Sequence, residues 1–265
     1  MAIHTRVKSA RFREHGSAEW LPAQIPGSVQ TDLLALGLIP DPFVADNELR
    51  VQWIPERAWE YGLFFEASAE LLAEEHVFLV CDGLDTFAEV SLNGVALGAT
   101  DNMFRRYRWE VTGLVQAGEN YVKVHFSPLL APLRERQERE ALVSPTQAIP
   151  GGPFVRKAIC QFGWDWGPQL PPVGIWKELR LEGYSTARLQ NVHLRQHHAG
   201  SVVTVSATVV LERWQPEGVM ALLRVTDPEG FVQETEVMLS GEQGTLALTI
   251  VNPQLWWPNG YGVQP

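Results

Sequence analysis

Cysteine is nearly absent from this chain: Cys81 and Cys160 are the only two in 265 residues. That excludes the disulfide framework that braces small secreted domains, and both are read as reduced thiols. Positive charge is also in deficit, with 21 Lys and Arg against 31 Asp and Glu and a net charge of -10. Such a balance repels phosphate backbones and anionic lipid, so neither nucleic acid nor a membrane is an expected partner. No apolar run approaches the roughly 18 residues that span a bilayer. The opening stretch, MAIHTRVKSARFREHG, carries charge but no apolar core of a signal peptide, and a cytoplasmic location is the expectation. A Gly-rich phosphate loop, a nucleotide fingerprint and a Ser-His-Asp order are all missing, so no cofactor is expected. His193, His197 and His198 cluster, but without the spacing or the Cys and Asp neighbours of a zinc site, and no metal ligands are assigned.

What the chain has is short alternating runs bounded by turn residues, the pattern of an all-β protein built from sandwiches. HVFLVCD at 76–82, FAEVSL at 87–92, YVKVHF at 121–126 and WKELRLEG at 176–183 are the clearest strands of a first domain spanning 1–184. Asn93-Gly94 has the spacing of a two-residue hairpin, because both residues tolerate the positive φ of a type I′ turn. Two helices interrupt the strands. One covers about 28–36 and stops at Gly37; the other starts near Ser127-Pro128 or Ala131-Pro132 and runs to about Val143, with a solvated, charged face. A stretch rich in Pro and Gly follows from 144 to 175, and irregular segments of that length in a compact domain are usually functional. From Arg188 a new series begins: NVHLRQH, SVVTVSATVVLE, VMALLRVTD, FVQETEVML and TLALTIV. Five strands where an immunoglobulin-like sandwich has seven give an incomplete second domain at 185–265.

Inside the irregular stretch, residues 161–168 read QFGWDWGP. A sugar ring presents an apolar C–H face and a rim of hydroxyls, so a site that grips one needs a flat aromatic beside a strong hydrogen-bond acceptor. Trp164 or Trp166 can supply the surface, and Asp165 can accept charge-assisted bonds from two hydroxyls. The competing reading is a core plug, in which Asp165 ties down backbone N–H groups. Chemistry alone leaves the two open. Trp20, Trp53, Trp59, Trp109 and Trp176 lie in or beside strands and are read as core, with Trp53 alone a candidate for a sugar entrance.

The run from Arg156 to Pro168, RKAICQFGWDWGP, resembles a segment of the beta-mannosidases of glycoside hydrolase family 2. Four more stretches are similar to that family in the same order: IPGSVQTDLLALGLIPDPFVADNE with VQWIPERAWEY behind it, GLDTFAEVSLNG, ATDNMFRRYRWEVT and NPQLWWPNGYGVQP. Departures occur at Gln30, Gly62 and Ala10, where the family pattern usually has His, Arg and Trp. The resemblance implies a jelly-roll-like, galactose-binding-like sandwich followed by an immunoglobulin-like one. It also implies a parent that hydrolyses terminal non-reducing β-D-mannose with retention, acting on a mannoside or manno-oligosaccharide.

By the same resemblance Trp164 and Asp165 bind substrate and catalysis lies elsewhere. A retaining glycosidase needs two carboxyl groups roughly 5 to 5.5 Å apart. The family carries them on a barrel, and no alternating strand-helix repeat follows residue 185. No catalytic residue is therefore assigned, and the chain alone is expected to be inactive, its missing partner being that barrel. Asn47-Glu48 repeats the dipeptide that holds the general acid in this clan, but in the wrong setting, and is read as a surface or capping carboxylate. A stand-alone carbohydrate-binding protein and another family 2 glycosidase, a galactosidase or glucuronidase, are the alternatives.

Overall fold

Alternation becomes a two-layer sandwich once its apolar faces meet. The computed structural model describes residues 3–264, and the chain divides into two units, Met1–Gly183 and Tyr184–Pro265. In the first, β1 (Ile3–Arg6), β2 (Ser9–Glu14) and β3 (Leu21–Pro22) lead to α1 (Val29–Ala35) and the single turn α2 (Asn47–Arg50). Next come β4 (Trp59–Ala67), α3 (Ala69–Leu72), β5 (His76–Cys81), β6 (Ala88–Leu92), β7 (Val95–Thr100), β8 (Tyr107–Glu110) and β9 (Gly118–Phe126). Helix α4 (Leu130–Arg139) and β10 (Leu179–Tyr184) follow, separated by the irregular stretch. The strands form one sheet in the order β1-β10-β5-β8 and a larger one in the order β3-β2-β4-β9-β6-β7.

Period-2 patterning decides which side chains enter the core. Leu79 and Cys81 of one sheet, with Leu179 and Leu181, face Phe12, Tyr61, Leu63, Phe65, Val122, Val124 and Phe126 of the other, all buried in one cluster. Burial pushes the Cys81 thiol well above its ordinary range, and Cys160 is likewise a free thiol. Trp59 joins the core and donates its indole N–H to the Ile54 carbonyl at 2.9 Å. Trp20 instead lies under the guanidinium groups of Arg11 and Arg13, 4.6 and 4.3 Å from its ring centre. At Gly62 any Cβ would meet the Tyr121 hydroxyl at 2.8 Å, so the tyrosine occupies the place a larger residue would need.

Local signals are obeyed where they are strong. Ser28 caps α1, accepting from the Thr31 N–H at 3.2 Å while its own N–H donates to the Thr31 hydroxyl. Gly37, at φ +69°, follows the helix in the left-handed region. Asn93 and Gly94 both have positive φ, 49° and 86°, as the β6–β7 hairpin requires. Two boundaries differ from expectation. Helix α4 ends at Arg139, short of Val143, because its buried residues are only Leu130 and Leu133, in the first turns. The last strand of the unit starts at Leu179, and Trp176 lies before it with its indole N–H donating to the Met103 carbonyl at 2.9 Å.

The outer face of the larger sheet carries a row of charge. Register aligns Arg13 with Glu60, Glu60 with His125, and His125 with Glu89 across four strands. Arg13 Nη2 and Lys123 Nζ each lie 2.6 Å from the Glu60 carboxylate. Burial alone would raise the Glu60 pKa, but the bonds from Lys123, Arg13 and His15 outweigh it and hold the group at about 2. A carboxyl depressed on folding contributes stability that is full above its unfolded value, near 4.5, and lost as pH falls through about 2. Denaturant melts should therefore lose about 3 kcal/mol across that window from this group. A Glu60→Gln chain should lack that part of the loss, and identical pH profiles for the two chains would refute the assignment.

In the second unit β11 (Ala187–Ala199), β12 (Val202–Arg213) and β15 (Gln243–Val251) form a three-stranded antiparallel sheet. Between them in sequence, β13 (Val219–Thr226) and β14 (Val232–Leu239) pair as a hairpin. Val209, Leu211, Leu239 and Leu246 make a small core, while Leu189, Val192 and Leu194 of β11 stay exposed. His193, His197 and His198 lie on β11 and are exposed too.

Candidate functional site

The QFGWDWGP segment crowns a braced loop. A satellite core of Leu129, Leu130, Leu133, Ala148, Ile149, Val155 and Phe162 lies under the irregular stretch. Phe162 is fully buried at the end of a 3-10 turn, Ile159–Phe162, and its carbonyl accepts the Ile149 N–H at 2.8 Å. The next residue must be glycine: φ is +115° at Gly163, and a Cβ there would sit 2.8 Å from the Gln147 carbonyl oxygen. Trp164 N–H then donates to the Gly167 carbonyl at 3.1 Å, and Gly167 N–H returns a 3.4 Å bond to the Trp164 carbonyl. This reciprocal pair closes a tight turn with Asp165 and Trp166 at its tip.

The tip faces solvent. Trp164 is 37% and Trp166 74% exposed, and Asp165 is exposed between them. Among the described residues the Asp165 carboxylate has no hydrogen-bond or ion-pair partner. The backbone bonds by which an aspartate would tie down a core plug are not made by Asp165 among the described residues. The arrangement can instead offer an indole face and two acceptor oxygens to an outside ligand. Trp53, read as core, is 37% exposed and packs one side on Trp59 at 5.9 Å between ring centres.

Two sets of polar contacts hold the loop from below. Lys157 is buried with its ammonium on Asp85 and on the Pro172 carbonyl, the latter at 2.9 Å, so one side chain joins both ends of the 157–172 segment. Asp85 is fixed in turn by mutual backbone bonds with Gly174, of 2.9 and 3.0 Å, and by the Thr86 hydroxyl. Burial pushes the Lys157 ammonium down to about 8 against the opposing pull of Asp85. On the flank, Gln169 N–H donates to Glu48 Oε2 at 2.9 Å, and Gln52 donates to the Gln169 carbonyl. Gln30, one of the departures from the family pattern, accepts the Val173 N–H at 3.2 Å and donates to Pro171 O at 2.9 Å.

These braces leave little trace in the sequence. Glu48 stood out only through the dipeptide it forms with Asn47, and its place is at the loop's flank. Lys157 carried a weak signal, a charge in the run leading to apolar Ala158 and Ile159. A further cluster has metal-ligand chemistry: His15, Glu60 and His125 each place one ligand-type atom within 4.8 Å of the others. Arg13 and Lys123 already hold that carboxylate, which makes the cluster a charge-balanced row.

Residues 11–177 match the family model described as the glycosyl hydrolase 2 galactose-binding domain-like domain. Beta-mannosidase B of Emericella nidulans is 34% identical over 98% of this chain and 32% of its own length. The Mus musculus beta-mannosidase is 33% identical over 94% of this chain and 30% of its own. The crystal structure of a beta-D-mannosidase from Dictyoglomus thermophilum superposes with a TM-score of 0.87 at 35% identity, covering 99% of this chain and 33% of that one. An exo-chitosanase from Amycolatopsis orientalis, at 18% identity and a TM-score of 0.69, shares the fold alone. The chain thus spans about a third of the length of the relatives it matches. On the strength of the domain match across most of the first unit, the chain belongs to glycosyl hydrolase family 2, as part of its amino-terminal, galactose-binding-like region.

Proposed function

We propose that this segment is part of a retaining beta-mannosidase and supplies Trp164 and Asp165 to hold the terminal, non-reducing β-D-mannose. On this reading the first unit is the sugar-binding domain and the second an immunoglobulin-like sandwich not closed by these residues. The observation that carries the reading is Asp165, without a partner among the described residues, between two exposed indoles on a loop braced from below. An exposed carboxylate with free lone pairs can take hydroxyl donors, and the indole face can take the sugar's C–H surface. The pair binds and orients the sugar; bond cleavage falls to two carboxyl groups on a part of the protein outside these 265 residues.

Incubating the isolated chain at high concentration with an aryl β-mannoside should give no turnover. Hydrolysis that survives purification and is abolished by Glu48→Gln would overturn the division of labour, because it would put the general acid in this segment. Tight mannose binding by the chain alone would favour a stand-alone carbohydrate-binding module instead.

A further inference from the structure

Gln169 is the residue immediately after the closing Pro168 of the tryptophan turn, and both of its main-chain polar groups are held by the 48–52 segment. Its N–H donates to Glu48 Oε2 at 2.9 Å. Its carbonyl accepts from Gln52 Nε2, which also donates to the Glu48 carbonyl at 3.0 Å. The Gln169 side chain donates to the Gln147 carbonyl, the atom that a side chain at position 163 would strike. The turn between Trp164 and Gly167 is closed on itself and is joined to the rest of the chain through two feet. Phe162 is buried in the satellite core and fixes one foot. Glu48 and Gln52 hold the other from the flank, beside the bond of the Gln169 side chain to Gln147.

We propose that Glu48 is a positioning residue of the sugar site: by fixing Gln169 it sets the direction in which Trp164 and Asp165 project. The inference rests on the sugar-holding reading of the turn and adds a residue 121 positions away in sequence that governs it. The required chemistry is an acceptor at the Glu48 side chain. Glutamine at 48 keeps an acceptor oxygen there, while alanine removes it and leaves Gln169 held by Gln52 and by its own side-chain bond to the Gln147 carbonyl. A displacement of about 1 Å at a binding group is enough to cost a large factor in rate.

The test uses a full-length beta-mannosidase carrying this segment, assayed with an aryl β-mannoside. Glu48→Ala should lower kcat/KM about tenfold with an unchanged melting temperature, and Glu48→Gln should recover most of the loss. In an Asp165→Asn background, Glu48→Ala should cost much less, because the group it positions is already impaired. Full additivity of the two substitutions, or an unchanged kcat/KM in Glu48→Ala while Asp165→Asn is damaging, would overturn the positioning role alone. If Asp165→Asn is itself silent, the sugar-holding reading fails and the positioning role falls with it.

Discussion

Replacing Lys157 with methionine should destabilise the first unit by about 3–5 kcal/mol, the largest loss expected for any single substitution at the base of the loop. Lys157 and Asp85 have side chains that are 0% and 1% exposed. Removing the ammonium leaves the Asp85 carboxylate in the interior with, among the described residues, only the Thr86 hydroxyl on its side chain, and an uncompensated buried charge is costly in a way that a lost surface pair is not. The melting temperature should fall by about 10 °C on the scaling for a unit of this size. Methionine keeps the length of the lysine stem, so the loss is not a packing defect. Adding Asp85→Asn should return part of the stability, since the penalty belongs to the stranded charge. A Lys157→Met chain within 1 kcal/mol of the parent, or a double variant weaker than the single by the full cost of Asp85→Asn, would show that the pair does not hold the loop.

The fold was readable from sequence where a residue's own backbone chemistry decides the structure. Asn93-Gly94 predicts a hairpin because few pairs tolerate two positive φ angles, and the two adopt 49° and 86°. Ser28 and Gly37 mark the limits of α1 for equally local reasons. Legibility fails where packing decides. Helix α4 has the composition to continue past Arg139, but nothing beyond Leu133 is buried by its neighbours, and an isolated helical extension is marginal in water. Trp176 reads as a strand residue and is held instead by the Met103 carbonyl, 73 positions away. The candidate site divides along the same line. Trp164 and Asp165 announce themselves by residue type and by their glycine and proline flanks, whereas Glu48 and Gln169, or Lys157 and Asp85, become partners only after the sandwich has brought them together. A buried ion pair 72 residues apart leaves no periodicity to read.

Whether Asp165 holds sugar hydroxyls is read most directly from the kinetic cost of Asp165→Asn in a full-length beta-mannosidase carrying this segment. Asparagine preserves the shape and removes the charge, and it turns one acceptor oxygen into a donor. A hydrogen bond to a charged group contributes about 1.5–3 kcal/mol, which corresponds to a loss of roughly 10- to 150-fold in kcat/KM. Because Asp165 is exposed and has no partner among the described residues, stability should be untouched. Trp164→Ala should weaken substrate binding in the same assay by removing the stacking face. The expected result is a fall in kcat/KM of that size with a melting temperature within about 1 °C of the parent. Unchanged kinetics with a melting temperature lower by several degrees would contradict it and make the loop a structural plug.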